Sequence, residues 1–285
     1  MEKLRKFRPV LGMCSQGQKR QGVHDGSMYL YNHIFKDLCE PRPYVIQHEQ
    51  FDDAAGYLKL YQTCHSINKP LLLGGDHSVS SSSVMASLQK FRDLNVFWID
   101  AHPDMHTFHS TQSGNKHGTP LSVCCALESE HWASRMSLRT LNFNKLTYCG
   151  IRDIDDFEEG VIERENIRVL GVADTIDHIR KCDGPVHISF DVDALDPSQV
   201  SSTGTRVPGG LYPDEVRDMI IAALDDNKLV SLDVVEFNTA LGDPESSLES
   251  VKATFRLGEG DAPVANQRVQ GTEFDVMRKG SLGML

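Results

Sequence analysis

The chain has 285 residues, enough for one large α/β domain with a substantial core or for two small ones. Its formal net charge of −11 argues against a nucleic-acid binder, which needs a basic stripe, and suits a cationic small substrate through long-range attraction. No apolar run approaches the ~20 residues of a membrane span, and residues 1–7 lack the apolar core of a secretory signal, so a soluble cytoplasmic protein is expected.

Short apolar, β-rich runs alternate with longer helical patterns. This predicts repeated βα units and a three-layer αβα fold around a mostly parallel sheet of about eight strands. In chain order, a strand over 10–12 precedes a helix over 26–36, and a strand over 44–47 precedes a helix over 54–67. The run Leu71-Leu72-Leu73-Gly74-Gly75 closes a strand over 70–74 before a helix over 78–91. A strand over 94–100 is followed by a polar loop to residue 120 and a helix over 120–126. Strands over 145–151 and 167–170 then alternate with helices over 157–165 and 173–181. A strand over 186–191 leads to a turn-rich stretch, 201–210. After it, Pro213 followed by Asp214 and Glu215 opens a helix over 213–225, and a strand over 229–236 ends the pattern. No linker, repeat or composition break divides the chain, so residues 1–285 are read as one domain. The cysteines Cys14, Cys39, Cys64, Cys124, Cys125, Cys149 and Cys182 are odd in number and lack zinc-type spacing, which fits reduced thiols, with Cys124 and Cys125 as core packing.

Three predicted strand ends carry clustered metal-ligating residue types. In Trp98-Ile99-Asp100-Ala101-His102-Pro103-Asp104, polar donors occupy every second position, and in extended backbone Asp100, His102 and Asp104 project to one side. Ser189-Phe190-Asp191-Val192-Asp193 repeats the device, and Gly74-Gly75-Asp76-His77-Ser78 sets His77 at a third strand end. One Asp-X-Asp alone is more often a solvated turn, and one strand-end His is more often a hydrogen-bonded core residue. Four Asp and two His together are different, because carboxylates packed without a cation repel and titrate high. A pair of divalent ions neutralises them, and a carboxylate-rich, thiolate-free set favours a hard ion such as Mn²⁺. Ligand sites in open parallel sheets form outside the carboxyl ends of strands, where all six residues are predicted.

These blocks together resemble the arginase branch of the ureohydrolase family, from about Val10 to Leu241. The resemblance implies two Mn²⁺ ions per subunit, one held by His77, Asp100, Asp104 and Asp191, the other by Asp100, His102, Asp191 and Asp193. It implies hydrolysis of L-arginine to L-ornithine and urea by a metal-bridging hydroxide, with His117 as the proton-shuttling imidazole and Asp104 able to accept a proton on its second oxygen. Ser113 and Asn115 in Ser113-Gly114-Asn115-Lys116-His117-Gly118 match the loop that holds the substrate α-carboxylate. Asp155 and Glu158 match positions near the α-amino group, and Thr205 and Glu236 positions near the guanidinium, where a carboxylate suits a planar cation. A homotrimer is the implied assembly, with no nucleic-acid or membrane partner.

The chain departs from the family pattern at several positions. His106 stands where the family usually has an Asn against the α-carboxylate, and His24 and Ser27 replace a usual Glu and Pro. Residues 12–18 follow the pattern only in part, and the stretch from Asp243 onward is unlike most members. Two alternatives therefore stand beside arginine hydrolysis. One is an agmatinase or other guanidino-compound ureohydrolase; the other is an arginase-like protein that binds without turnover.

Overall fold

The computed structural model describes residues 4–39, 42–51 and 54–257. Eight strands form one all-parallel sheet: β1 (Arg8–Gly12), β2 (Tyr44–Ile46), β3 (Pro70–Gly74), β4 (Asn95–Ile99), β5 (Leu146–Cys149), β6 (Arg168–Leu170), β7 (Val186–Asp191) and β8 (Leu229–Val235). Their order is β2-β1-β3-β8-β7-β4-β5-β6. After β3 the chain passes the positions later filled by β8 and β7 to reach β4. The four strands β3, β8, β7 and β4 therefore lie side by side at the centre, and these are the strands whose ends carry the candidate ligands and Glu236.

Strands β3, β4 and β7 are buried along their whole length, which explains their near-continuous apolar runs: a parallel sheet is covered on both faces. Alternation still sorts the side chains. Leu71, Leu73, Phe97, Ile99, Ile188, Phe190, Leu232 and Val234 pack on one face with α1 (Val23–His33), α6 (Val172–Lys181), α7 (Pro213–Asp225) and α8 (Pro244–Thr254). Leu72, Val96, Trp98, Tyr148 and Val235 pack on the other with α2 (Ala54–Ser66), α3 (Ser80–Lys90), α4 (Pro120–Cys124) and α5 (Asp156–Glu165). The expected three-layer architecture follows. All seven cysteines are buried and free, and Cys124 and Cys125 pack in the second cluster.

Several boundaries differ from the sequence reading for identifiable reasons. Helix α1 begins at Val23, before the expected residue 26, and Gly26 lies inside it because a Cβ there would stand 1.7 Å from the Phe237 carbonyl oxygen. Helix α8 was not anticipated, although its start signals are present: Asp243 accepts the Ser246 N–H and Pro244 occupies the first turn. The rest of the atypical C-terminal stretch, 258–285, lies outside the described residues.

Helix α3 opens with Ser80, Ser81, Ser82 and Ser83, all buried rather than solvated. Their small side chains let the helix seat closely on the sheet, and their hydroxyls satisfy buried groups. Ser83 Oγ donates to Asp233 Oδ2 at 2.5 Å, and His187 bridges Asp233 (3.1 Å) and Ser87 (3.0 Å) on the same face.

The turn after β3 ties three strands together. Gly75 N donates to the Gly12 carbonyl, Asp76 N to that of Cys14, and Glu236 N to that of Gly75, at 2.8, 2.9 and 2.8 Å. A Cβ on Gly75 would lie 1.8 Å from the Cys14 oxygen. Gly75→Ala is therefore expected to lower unfolding stability by about 3 kcal/mol, through forced backbone displacement. Gly160→Ala, in exposed α5 with nothing within 4 Å of the added Cβ, is expected to raise it by about 0.5–1 kcal/mol. Denaturant titration of both variants checks this; a neutral Gly75→Ala contradicts the packing described.

Candidate metal centre and substrate pocket

The residues of the central acidic block converge, but not by strand alternation. β4 ends at Ile99, and residues 100–104 form an irregular turn in which Asp104 takes φ +52°. The expectation of an extended Asp-X-His-X-Asp ribbon is thus corrected. Side-chain caps fold the turn instead: Asp100 Oδ1 accepts the His102 N–H at 2.8 Å, and Asp191 Oδ1 accepts the Asp193 N–H at 2.7 Å. A short polar side chain that hydrogen-bonds two residues ahead stabilises such a turn and tolerates left-handed backbone. Asp191 closes β7, while Asp193 sits on the following single-turn 3₁₀ segment.

Two clusters result, joined by Asp100. His77 Nδ1 stands 3.0 Å from Asp100 Oδ2, 3.0 Å from Asp104 Oδ2 and 3.2 Å from Asp191 Oδ2. His102 Nδ1 stands 3.4 Å from Asp100 Oδ1 and 3.3 Å from Asp193 Oδ2. In the first cluster His77 Nδ1, Asp100 Oδ2 and Asp104 Oδ2 are buried yet misaligned for hydrogen bonding, so each lacks a partner. Buried polar atoms of folded proteins are ordinarily paired. Three that point at one spot fit a cation, and each cluster holds an imidazole and carboxylates close enough to share one.

The surrounding residues fix these ligands. His77 Nε2 meets Ser189 Oγ at 2.9 Å and its ring stacks on Trp98 at 4.2 Å, so Nδ1 is held toward the carboxylates. Thr205 Oγ1 donates to Asp193 Oδ2 at 2.6 Å. Arg152 clamps the loop behind Asp193, donating to the carbonyls of Gly150, Ala194, Asp193 and Val207.

The electrostatics show the strain of this assembly. Burial, reinforced by Asp100, pushes the Asp104 carboxyl up to about 7, and burial with Asp193 carries Asp191 well above the carboxylate range. Burial opposes the cationic form of His77, but the carboxylates of Asp100, Asp104 and Asp191 crowded around it raise it well above the ordinary imidazole range. His102 is raised likewise against burial by Asp193 and Asp100.

A cavity of about 410 Å³ opens over the clusters, lined by His102, Asp104, Asp191, Asp193, Thr205, Ser113, Asn115, His117, Asp155 and Glu158, among others. Most sequence-predicted site residues thus share one wall system. His77, Asp100 and Glu236 are buried behind that lining. Glu236 holds φ +66°, a strained conformation for a Glu, and accepts the His77 N–H at 2.9 Å. His117 Nδ1 lies 3.1 Å from Glu236 Oε1; burial opposes its charge, but Glu236 raises it to about 9. His106 Nε2 lies 2.9 Å from Asp155 Oδ2.

Two site residues escaped the sequence reading. Gln18 Nε2 donates to Glu236 Oε2 at 2.7 Å, and Gly17 N donates to buried Asp76 Oδ2 at 2.8 Å. A Cβ on Gly17 would fall 2.2 Å from Asp76 Oδ1, so glycine is required there. Both lie in the stretch 12–18 that only partly follows the family pattern, and their partners are remote in sequence.

The parallel sheet with an acid–imidazole centre at its carboxyl edge is the architecture of a hydrolase of the ureohydrolase kind. Residues 15–257 match the model of the arginase family, a match that runs on through α8, and the chain belongs to that family. It is 30% identical to the arginase of Saccharomyces cerevisiae over 91% of this chain and 94% of the relative. It is 30% identical to the arginase of Eremothecium gossypii over 81% and 69%. The fold matches that of Entamoeba histolytica arginase in complex with L-ornithine, with TM-score 0.78, 24% identity, and coverage of 89% of this chain and 98% of that one. No helix among the described residues is long and apolar enough to cross a membrane.

Metal competes with protons on His77 and His102 and on the raised carboxyls of Asp104 and Asp191, so binding is expected to release protons and to strengthen as pH rises from 6 to 8. Calorimetric titration of metal-free protein with Mn²⁺ at pH 7, in buffers of different ionisation enthalpy, should report net proton release on binding. Enthalpies independent of buffer contradict the charge state described.

Proposed function

We propose that the chain hydrolyses L-arginine to L-ornithine and urea at two Mn²⁺ ions. The observation that carries this reading is the set of buried, unpartnered atoms on His77, Asp100 and Asp104 beneath a small-molecule cavity. One ion takes His77, Asp100, Asp104 and Asp191; the other takes Asp100, His102, Asp191 and Asp193. Four carboxylates, two imidazoles and no thiolate favour Mn²⁺ over structural zinc. When bound, the ion pair supplies a water ionised near neutral pH as the nucleophile for the guanidinium carbon.

The chain's own residues do the rest. Glu236 keeps His117 in its cationic form, and His117 faces the cavity with a proton to give the departing ornithine amine. Thr205 orients Asp193, and Asp104 would help to hold the metal and could take up a proton at its carboxylate. Ser113 and Asn115 receive the α-carboxylate, a group agmatine lacks, while Asp155 and Glu158 line the wall on which the α-amino side of arginine would lie. The arginase relatives and the ornithine-bound neighbour support a substrate of this size and charge. We read the chain as one domain and a homotrimer, which sedimentation checks.

Urea release after Mn²⁺ loading, compared for arginine, agmatine and 4-guanidinobutyrate, tests the assignment; no urea from any of them supports an arginase-like binder without turnover. His117→Asn is expected to slow turnover by about 10²–10⁴-fold while bound metal, measured by elemental analysis, is unchanged. Metal loss in that variant counts against the role. Asp193→Ala is expected to lose one metal equivalent and most activity, and wild-type turnover there argues against a working pair.

A further inference from the structure

At the side of the cavity away from His77, His106, Asp155 and Glu158 form a third cluster, with one polar atom of each within 4.8 Å of the others. Its four carboxylate oxygens are nearly all engaged. Asp155 Oδ1 accepts the N–H groups of Phe157 and Glu158, both at 3.0 Å, as the cap of α5. Asp155 Oδ2 lies 2.9 Å from His106 Nε2. Glu158 Oε1 accepts the Met105 N–H at 3.1 Å, and Glu158 Oε2, 3.9 Å from the same His106 nitrogen, is the oxygen left over.

The imidazole is held in that place. Its Nδ1 lies 3.0 Å from Ser110 Oγ, and its ring stacks on Phe157 at 5.4 Å with an interplanar angle of 13°. Whether neutral with its proton on Nε2 or cationic, His106 donates to Asp155 Oδ2, takes one of that oxygen's acceptor positions and sets its ring on the side an incoming ammonium would approach. The Ser113–Asn115 loop presents hydroxyl and amide groups that meet only neighbours of the same loop, Ser113 Oγ with Thr111 Oγ1 at 3.2 Å and Asn115 Nδ2 with His117 Nε2 at 3.4 Å. The Ser113 and Asn115 side chains line the cavity, and Lys19 Nζ approaches the Ser113 carbonyl at 3.0 Å. The pocket mouth is thus built for a carboxylate, with its ammonium acceptors largely covered.

The geometry points to His106 as a specificity-determining residue that makes the pocket indifferent to an α-ammonium. The substrate class is then ω-guanidino carboxylates, with or without the α-amino group. This rests on the hydrolase reading above.

The test compares kcat/KM for L-arginine and for 5-guanidinopentanoate, which is arginine with hydrogen in place of the α-ammonium, in Mn²⁺-loaded wild type and His106→Asn. The wild-type values should agree within about threefold. The shorter Asn leaves Asp155 Oδ2 free, and a charge-assisted hydrogen bond regained there should favour arginine by about tenfold. Calorimetric Kd values for L-ornithine and 5-aminopentanoate should follow the same pattern, independent of turnover. A hundredfold wild-type preference for arginine or ornithine overturns the inference whether or not the variant folds, as does a preference that the variant leaves unchanged. Absence of urea from both substrates overturns the hydrolase reading itself.

Discussion

Four carboxylates and two imidazoles within a few ångströms of one another, almost all of them buried, are the constraint that shapes this protein. Isolated buried charge is prohibitively costly, so such a group persists only with counter-charge in its midst. The fold supplies the crowding. Four adjacent parallel strands deliver their ends to one edge, short Asx turns bend the chain after β4 and β7, and a glycine turn brings His77 in from β3.

The centre and the pocket are not separate devices, because Glu236 belongs to both. One of its oxygens takes the His77 N–H and faces His117, and the other takes Gln18. The loop after β1, the turn after β3, the polar loop after β4 and the end of β8 therefore meet at a single buried carboxylate held in strained backbone. A shift in any of these loops moves the imidazole at the cavity wall relative to the floor. That linkage explains why a Glu occupies a left-handed position that glycine would fill without strain.

Much of this was legible in the sequence because it is locally encoded. Apolar runs marked all eight strands, and the three ligand blocks each sit within a few residues of a strand end. Less could be read where the determinant is a distant partner. Gln18 finds Glu236 across 218 positions, and nothing in its neighbours signals that contact. The four serines that open α3 carry no apolar signal, yet their hydroxyls serve Asp233 and backbone carbonyls in the interior. Alternation singled out acidic residues that do converge, but not for the reason given: caps and a left-handed Asp104, not an extended strand, turn them inward. His106 was visible as a departure, but only the structure shows it lying on Asp155.

The most direct measurement is anomalous scattering from crystals grown with Mn²⁺. Two peaks about 3.5–4 Å apart are expected, one beside His77 Nδ1 and one beside His102 Nδ1, with Asp100 between them. Crystals that keep these six side chains in place yet show no anomalous peak among them would contradict the claim that the acidic cluster exists to hold a metal pair.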